Sequence, residues 1–275
     1  MSKLLNTLKF LYISILTCIG FPVHAASYTD VGSGKPVVLI HAFPTDQHLW
    51  QPQREGLKKH FRVITLDLPG FGKAKPVDGK AITMTAYADE VRQLLDQLHI
   101  DTAVIGGESM GGYIALAFLQ KYPERTSGLI LSDTQAISDS AEAKAKRETS
   151  AVDVLNNGTA GFINGFLPKA LSPNAAVAKR DFLKSILDSQ PALAFASALR
   201  GMALRNDLSY VLAETTLPVL IITGDADVVV SPSQSEAMQQ LARNSKLVKI
   251  ANAGHLSNLE NPEEWNDAVK EYFRE

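Results

Sequence analysis

A serine flanked by glycines is the most chemically suggestive feature of this sequence. Residues 107–111 read Gly-Glu-Ser-Met-Gly, a Gly-x-Ser-x-Gly pattern centred on Ser109. The pattern follows an apolar run over residues 102–106 and precedes a segment with helical character that begins near Met110. A serine on a sharp strand-to-helix turn has strained backbone and an accessible hydroxyl, and the helix N-terminus directs positive dipole toward it. The pattern therefore predicts a nucleophile rather than a structural serine.

A serine hydroxyl needs a base to remove its proton before it becomes a good nucleophile. At strand–turn–helix serines of this kind, the acid and the histidine follow the serine in the chain. Only His255 lies after Ser109, in an Ala-Gly-His tripeptide that follows the last apolar run. Three other histidines, His48, His60 and His99, have polar neighbours, and we expect them to be solvated. The sequence therefore predicts His255 as the base.

The acid that would orient this imidazole has more than one candidate. Asp227 ends the tetrapeptide Gly-Asp-Ala-Asp, which follows an apolar run over residues 219–223. A carboxylate there is placed to fix the tautomer of His255 and to stabilise the imidazolium ion. Asp225 is the nearest alternative, and Asp133, after the preceding apolar run, is a more distant one. These residues alone leave the choice open, and we expect a rejected aspartate to cap a loop or a helix.

Attack on a carbonyl places negative charge on its oxygen, which requires fixed hydrogen-bond donors. The backbone N–H of Met110 is one candidate because Met110 follows the nucleophile directly. The second is expected in the loop over residues 41–44, His-Ala-Phe-Pro, where Phe43 is favoured because Pro44 has no N–H. The sequence thus predicts Phe43 and Met110 as oxyanion donors, although both could also be pocket walls.

The elements that must position these residues are indicated by alternation along the chain. Short apolar runs rich in β-branched residues occupy residues 37–41, 62–67, 102–107, 128–131, 219–223 and 246–250. Amphipathic segments such as residues 86–99 and 261–273 separate them, and the latter begins with the helix-start sequence Asn-Pro-Glu-Glu. A short strand near residues 27–31 precedes the first run. This pattern predicts a mostly parallel α/β sheet covered by helices on both faces.

The alternation stops between about residues 136 and 216, where helical patterns occur without a convincing strand. We expect helices over residues 141–147, 175–187 and 192–204. The predicted architecture is therefore a core of residues 26–135 and 217–275, with a helical cap over residues 136–216. Phe162, Phe166 and Met202 of the cap, together with Phe43, are predicted to bind an apolar substrate, or else they form the core of the cap itself.

The first 25 residues have the pattern of a secretory signal peptide. Lys3 and Lys9 precede an apolar run over residues 10–21, and Val-His-Ala at residues 23–25 offers a cleavage site after Ala25. The run is shorter than the roughly 20 residues of a membrane span, so we expect no stable membrane anchor after cleavage. Lipidation of Cys18, the single cysteine, and an uncleaved buried helix are the alternatives. The expected location is therefore periplasmic or secreted.

The whole composition is that of a globular protein, with 275 residues, 45% hydrophobic and 20% charged. The formal net charge of −2 gives no reason to expect a nucleic acid or an anionic membrane surface as a partner. We therefore expect the partner to be a small molecule. No feature of the sequence indicates an oligomeric state.

Five motifs carry a resemblance to a known family. They are residues 41–44, 67–72 (Asp-Leu-Pro-Gly-Phe-Gly), 107–112, 224–227 and 254–255 (Gly-His). In their order and spacing the chain resembles the α/β-hydrolase superfamily, in particular its small esterase and enol-lactonase branch. The resemblance implies the α/β-hydrolase fold, with Ser109 as nucleophile, His255 as base, Asp227 as acid, and Phe43 and Met110 as oxyanion donors. Members usually have a glycine where this chain has Ala42, and a proline one residue nearer the acid than Pro232 is to Asp227. The second difference keeps Asp225 open as the acid.

The function expected from these residues is a serine esterase. Ser109 would form an acyl-enzyme with a small, apolar carboxylic ester, and water would release the acid with no cofactor and no metal. Hydrolysis of lactones or of carbon–carbon bonds by the same three residues is the alternative among enzymes. A binding protein that keeps the fold without catalysis is the alternative outside them.

Overall fold

The computed structural model of the protein describes residues 27–274. The predicted signal peptide over residues 1–25, and Cys18 within it, lie outside the described residues. None of the helices in residues 27–274 combines the length and the apolar character needed to cross a membrane.

One sheet of seven strands forms the centre of the described part of the chain. Its spatial order is β1-β3-β2-β4-β5-β6-β7, and every neighbouring pair is parallel except β1 with β3. The strands are β1 (Tyr28–Gly32), β2 (Pro36–Ile40), β3 (Arg62–Leu66), β4 (Ala103–Glu108), β5 (Thr126–Ser132), β6 (Val219–Gly224) and β7 (Ser245–Ile250). The prediction of a mostly parallel sheet is confirmed, and each predicted apolar run overlaps a strand.

Helices cover both faces of the sheet, so the strands β2 to β6 are buried on two sides. Val37 and Leu39 of β2 belong to a core cluster with Trp265 and Val269, whereas Val38 and Ile40 belong to a second cluster on the other face. This division follows the two-residue period of a strand. The core helices are α1 (Gln51–Leu57), α2 (Met84–Gln97), α3 (Met110–Lys121), α9 (Pro232–Leu241), α10 (Ser257–Glu260) and α11 (Pro262–Phe273).

The predicted start of the last helix is confirmed in detail, but the predicted start of α2 is wrong by two residues. Asn261 caps α11 by accepting a hydrogen bond from the Glu264 N–H, and Pro262 is its first residue. Helix α2 begins at Met84 instead of Ala86, because the Thr83 hydroxyl accepts the Ala86 N–H as an N-cap.

Five helices lie between β5 and β6, in the region where the strand pattern stops. They are α4 (Ala141–Asn157), α5 (Ala160–Ala170), α6 (Val177–Asp188), α7 (Ala192–Ala203) and α8 (Ser209–Glu214). Helix α4 continues ten residues beyond the predicted end at Arg147, and α5 and α8 were not predicted. Two glycines and the internal Pro168 weaken the helical signal of α5. Burial of Ile163 and Ala170 against the rest of the protein compensates for that weak propensity.

Candidate active site

Ser109 lies on the turn between the end of β4 and the start of α3. Its backbone has φ +52° and ψ −110°, in the region that L-residues rarely occupy. A Cβ atom on Gly107 would be 2.0 Å from the carbonyl carbon of Gly111, and one on Gly111 would be 2.1 Å from the Ile40 carbonyl oxygen. Both glycines are therefore required for the chain to pass itself, which explains the Gly-x-Ser-x-Gly pattern in steric terms.

A continuous chain of hydrogen bonds joins Ser109, His255 and Asp227. The Ser109 Oγ lies 2.8 Å from His255 Nε2, and His255 Nδ1 lies 2.8 Å from Asp227 Oδ2. A carboxylate only accepts, so Nδ1 carries the proton and Nε2 accepts from the serine hydroxyl. The two side chains of the His255–Asp227 pair are almost completely shielded from solvent. The structure thus brings the predicted nucleophile, base and acid together.

The electrostatic surroundings of His255 favour its protonated form. Burial lowers the pKa of the imidazole, but the charge and hydrogen bond of Asp227, with a further contribution from the charge of Asp133, raise it more. The pKa of His255 is therefore above its ordinary value. A base with a raised pKa binds the serine proton more strongly in the transition state.

The two other aspartates have different partners. Asp225 accepts the Asn252 N–H across the loops that follow β6 and β7, and it makes no contact with His255. Asp227, in contrast, also accepts the N–H groups of Val229 and Val230 with its second oxygen, which fixes its orientation. The structure therefore pairs His255 with Asp227 and leaves Asp225 in the loop-capping role.

Asp133 and Glu108 form a pair of buried carboxyl groups next to Ser109. Asp133 accepts the N–H of Gly224 and the hydroxyl of Ser257, so it connects β5 to the loops that carry Asp227 and His255. Burial and the neighbouring Asp133 raise the pKa of Glu108 well above its ordinary value. Burial and the charge of Asp227 raise the pKa of Asp133 to about 6. These surroundings favour the protonated form of Glu108, and this role was not predicted from the sequence.

The backbone N–H groups of Phe43 and Met110 are the predicted oxyanion donors. Neither donates a hydrogen bond to another residue of the described part of the chain. The loop that carries Phe43 is held by His41, whose Nε2 accepts the Leu68 N–H at 3.1 Å and whose Nδ1 donates to the Ala42 carbonyl at 2.9 Å. Burial lowers the pKa of His41, in agreement with this neutral tautomer. No separate role for His41 was predicted, although its position as the first residue of this loop was a signal.

A cavity of about 400 Å³ opens onto Ser109 and His255. The four residues predicted to bind substrate, Phe43, Phe162, Phe166 and Met202, all line it. Phe195 lies behind them, with ring centroids 5.4 Å from Phe43 and 5.6 Å from Phe162. None of His48, His60 and His99 lines the cavity.

The cavity also has a polar wall that was not predicted from the sequence. Its members are Tyr113, Gln135, Asp139, Lys146, Arg147 and Ser150. Three of these, Lys146, Arg147 and Ser150, lie on α4 in a stretch for which the sequence shows no apolar face. The predicted helix also ended at Arg147, before Ser150 completes the face that points to the site. Within residues 27–274, no group of three or more His, Cys, Asp or Glu side chains could hold a metal ion.

The mostly parallel sheet, the helices inserted after β5 and the strained serine turn after β4 together define an α/β hydrolase. A sequence model of the alpha/beta hydrolase fold matches residues 35–262, and the chain belongs to this family.

The chain is also similar to individual proteins of known class. It is 31% identical over 237 residues to a 3-oxoadipate enol-lactonase from Acinetobacter baylyi, covering 83% of this chain and 85% of that protein. A thermophilic esterase from Thermogutta terrifontis, solved with malate bound, is 37% identical, with a TM-score of 0.87 over 90% of this chain and 92% of its own. The enol-lactonase from Burkholderia xenovorans is 26% identical, with a TM-score of 0.81 over 89% of this chain and 95% of its own. These similarities support hydrolase activity.

Proposed function

We propose that this protein is a serine hydrolase that cleaves carboxylic esters through an acyl-enzyme. The observation that carries the proposal is the hydrogen-bond chain from Asp227 through His255 to Ser109, which ends at the floor of a cavity. That arrangement supplies a nucleophile, a base and an orienting acid in the geometry that acyl transfer requires. The similarity to an esterase and to enol-lactonases is consistent with it.

The mechanism has two steps of the same kind. Ser109 Oγ attacks the ester carbonyl while His255 Nε2 takes its proton, and the oxyanion accepts from the N–H groups of Phe43 and Met110. The alcohol then leaves with the proton from His255. Water attacks the acyl-enzyme with the same base, and the acid is released as Ser109 recovers its proton. Asp227 keeps Nδ1 protonated and stabilises the imidazolium ion in both steps.

Lactones are the second candidate substrates, because a lactone is a cyclic ester and a 31% identical relative is an enol-lactonase. The same residues would open the ring and then release the hydroxy acid. Turnover of a panel of p-nitrophenyl esters of increasing acyl length, measured beside that of simple lactones, distinguishes an ester substrate from a lactone substrate.

The experiment that tests the proposal is labelling with a fluorophosphonate probe. The folded protein should be labelled at Ser109, and Ser109→Ala should abolish both labelling and ester turnover. A folded protein that resists the probe would instead favour the non-catalytic binding role.

The proposal also includes export of the protein from the cytoplasm. We expect the chain to be cleaved after Ala25 and to act outside the cytoplasm, where water is the only cosubstrate it needs. Mass spectrometry of the protein from the periplasm or medium of an expressing bacterium should show Ala26 as the first residue. A lipidated Cys18 at the N-terminus would overturn cleavage after Ala25, and an uncleaved chain in the cytoplasm would overturn this location.

A further inference from the structure

The wall of the cavity formed by α4 carries cationic side chains. Ala143, Lys146, Arg147 and Ser150 all line the cavity, and their spacing of three, four and seven residues places them on one face of the helix. This face points a lysine and an arginine into the same space that Ser109 and His255 reach. The apolar residues that were predicted to bind substrate therefore form only part of the cavity wall.

Among the described residues that line the cavity, a single carboxylate balances these charges. Asp139 accepts from Arg147 Nε at 2.5 Å and pairs with Arg205 at 2.8 Å, so two guanidinium groups share it. Burial raises the pKa of Asp139, but its hydrogen bonds to the two arginines lower it more, so the group is ionised. The two guanidinium groups of Arg147 and Arg205 and the carboxylate of Asp139 therefore carry one net positive charge together.

Lys146 adds a second positive charge. It makes no ion pair with any residue in the described ranges, and its side chain is exposed at the cavity. The other carboxyl groups of the site, Asp227, Asp133 and Glu108, are buried and do not line the cavity.

Arg147 also has donor capacity to spare. Its Nη1 contacts only the Met202 sulfur, at 3.4 Å, among the described atoms, and a thioether is a weak acceptor. A carboxylate is a much stronger partner for a guanidinium group. Arg205, which stacks over the Tyr113 ring at 4.1 Å, holds Asp139 from the other side and so keeps Arg147 in place.

We propose that Lys146 and Arg147 bind a carboxylate on the substrate, so that the preferred esters or lactones carry a second, anionic carboxyl group. The inference rests on the proposed function and specifies the substrate class of the same site. The apolar residues Phe43, Phe162 and Phe166 contact the chain between the ester and this carboxylate. A cavity of about 400 Å³ suits a small substrate of this kind.

The test compares two substrates of matched shape. Monoethyl succinate carries a carboxylate where ethyl succinamate carries a neutral amide. The wild-type protein should cleave the anionic ester with a kcat/KM at least about tenfold higher, as expected for a charge-assisted hydrogen bond. The preference should shrink as ionic strength rises, because the cavity is open to solvent. Equal cleavage of the two esters would overturn the inference.

Lys146→Met removes the charge and keeps the length of the side chain. We expect kcat/KM for monoethyl succinate to fall about tenfold, mainly through KM, and kcat/KM for ethyl succinamate to fall much less, so that the preference for the anionic ester shrinks. Lys144→Met is the matched control, because Lys144 is also exposed on α4 but does not line the cavity. An equal loss in the two variants would show a general charge effect and contradict the inference.

Failure of this inference and failure of the proposed function give different results. Labelling of Ser109 and turnover of a neutral p-nitrophenyl ester report on the function alone. Calorimetric binding of monoethyl succinate to the Ser109→Ala variant reports on the carboxylate contact without turnover. Binding that is no weaker in the Ser109→Ala/Lys146→Met double variant would overturn the contact even if no ester is cleaved.

Discussion

Glu108 illustrates how a residue inside a well-known motif can have a role that the motif does not reveal. It is the variable residue before the predicted nucleophile, yet it is completely buried beside Asp133. Two charged carboxylates in that position would repel each other in a medium that screens poorly. A protonated Glu108 avoids this repulsion. Asp133 can then hold the loops that carry Asp227 and His255.

Replacing Glu108 by glutamine should flatten the pH dependence of stability. Because the pKa of Glu108 is higher in the folded protein than its ordinary value of 4.5, the folded state binds more protons than the unfolded state above that pH. The free energy of unfolding of the wild type should therefore fall as pH rises from about 4.5 through the raised pKa. Urea unfolding measured from pH 4 to 8 checks this. A variant that shows the same slope as the wild type would contradict a protonated Glu108.

The acid of the site gives a prediction about activity. Asp227→Asn should lower kcat by about 10⁴, because the amide cannot hold the imidazole tautomer or stabilise its cation. It should also lower the pKa of His255, since the Asp227 charge helps to raise it, so the acidic limb of the kcat/KM profile should move to lower pH. The measurement is a pH–rate profile with a p-nitrophenyl ester.

Asp225→Asn is the control for this prediction, because the side-chain hydrogen bond of Asp225 among the described residues is from the Asn252 N–H in the loop after β7, away from His255. It should keep nearly all of the activity. A loss as large as that of Asp227→Asn would return Asp225 to consideration as the acid.

At the scale of elements, Glu260 at the end of α10 connects the loop of His255 to the inserted helices. Its carboxylate accepts the N–H groups of Gly254 and Ser172 and the Ser172 hydroxyl. Ser172 lies in the segment between α5 and α6, so one side chain fixes the position of two loops from different parts of the chain. The sequence did not indicate this contact, because its partners are far from Glu260 or in irregular segments.

Glu260→Ala should therefore reduce both stability and kcat. It would leave two buried N–H groups without an acceptor, at a cost of about 1–3 kcal/mol each. Misplacement of the His255 loop should lower kcat more than KM, and Glu260→Gln should restore part of both properties because it keeps one acceptor oxygen. Chemical unfolding and steady-state kinetics measure the two effects.

Glu271→Ala is the control variant, because it removes an exposed ion pair with Lys246. It should lower the free energy of unfolding by less than about 1 kcal/mol and leave kcat unchanged. Similar kinetics for the two alanine variants would contradict a positioning role for Glu260.

The sequence predicted those elements whose signals are local. Strand β2 is a continuous apolar run, and Asn261 and Pro262 mark the start of α11 directly. Helix α5 gave no such signal, because Gly161, Gly165 and Pro168 lower its intrinsic propensity and only packing against other elements stabilises it.

The same limit explains which site residues could be predicted. His255 followed from chain order alone, since no other histidine comes after Ser109. Lys146 could not be found, because the face of α4 that meets the cavity depends on how the inserted helices pack over the sheet. A charged residue on a polar helix is normally solvated, so its sequence context does not indicate that it lines a cavity.

For the whole molecule, the inserted helices and the core meet at a cluster of aromatic rings above the serine turn. Phe195 of α7 is fully buried and contacts Phe43 of the core loop and Phe162 of α5 edge-on. It therefore supports two walls of the cavity and stabilises the docking of the inserted helices at the same time. Edge-to-face pairs of this kind contribute about 0.5–1.5 kcal/mol each beyond their burial.

Phe195→Ala should consequently change stability and specificity together. The cavity it leaves should cost about 3–5 kcal/mol in the free energy of unfolding. Without the Phe195 ring behind them, Phe43 and Phe162 can move away from the cavity, so the acyl-length profile with p-nitrophenyl esters should shift toward longer chains.

Phe182→Ala is the matched control, because Phe182 of α6 is only half-buried and does not line the cavity. That variant should lose less stability and keep the wild-type profile. An unchanged profile in a folded Phe195→Ala protein would mean that the cavity walls are held by their own elements, and that the aromatic cluster only joins the inserted helices to the core.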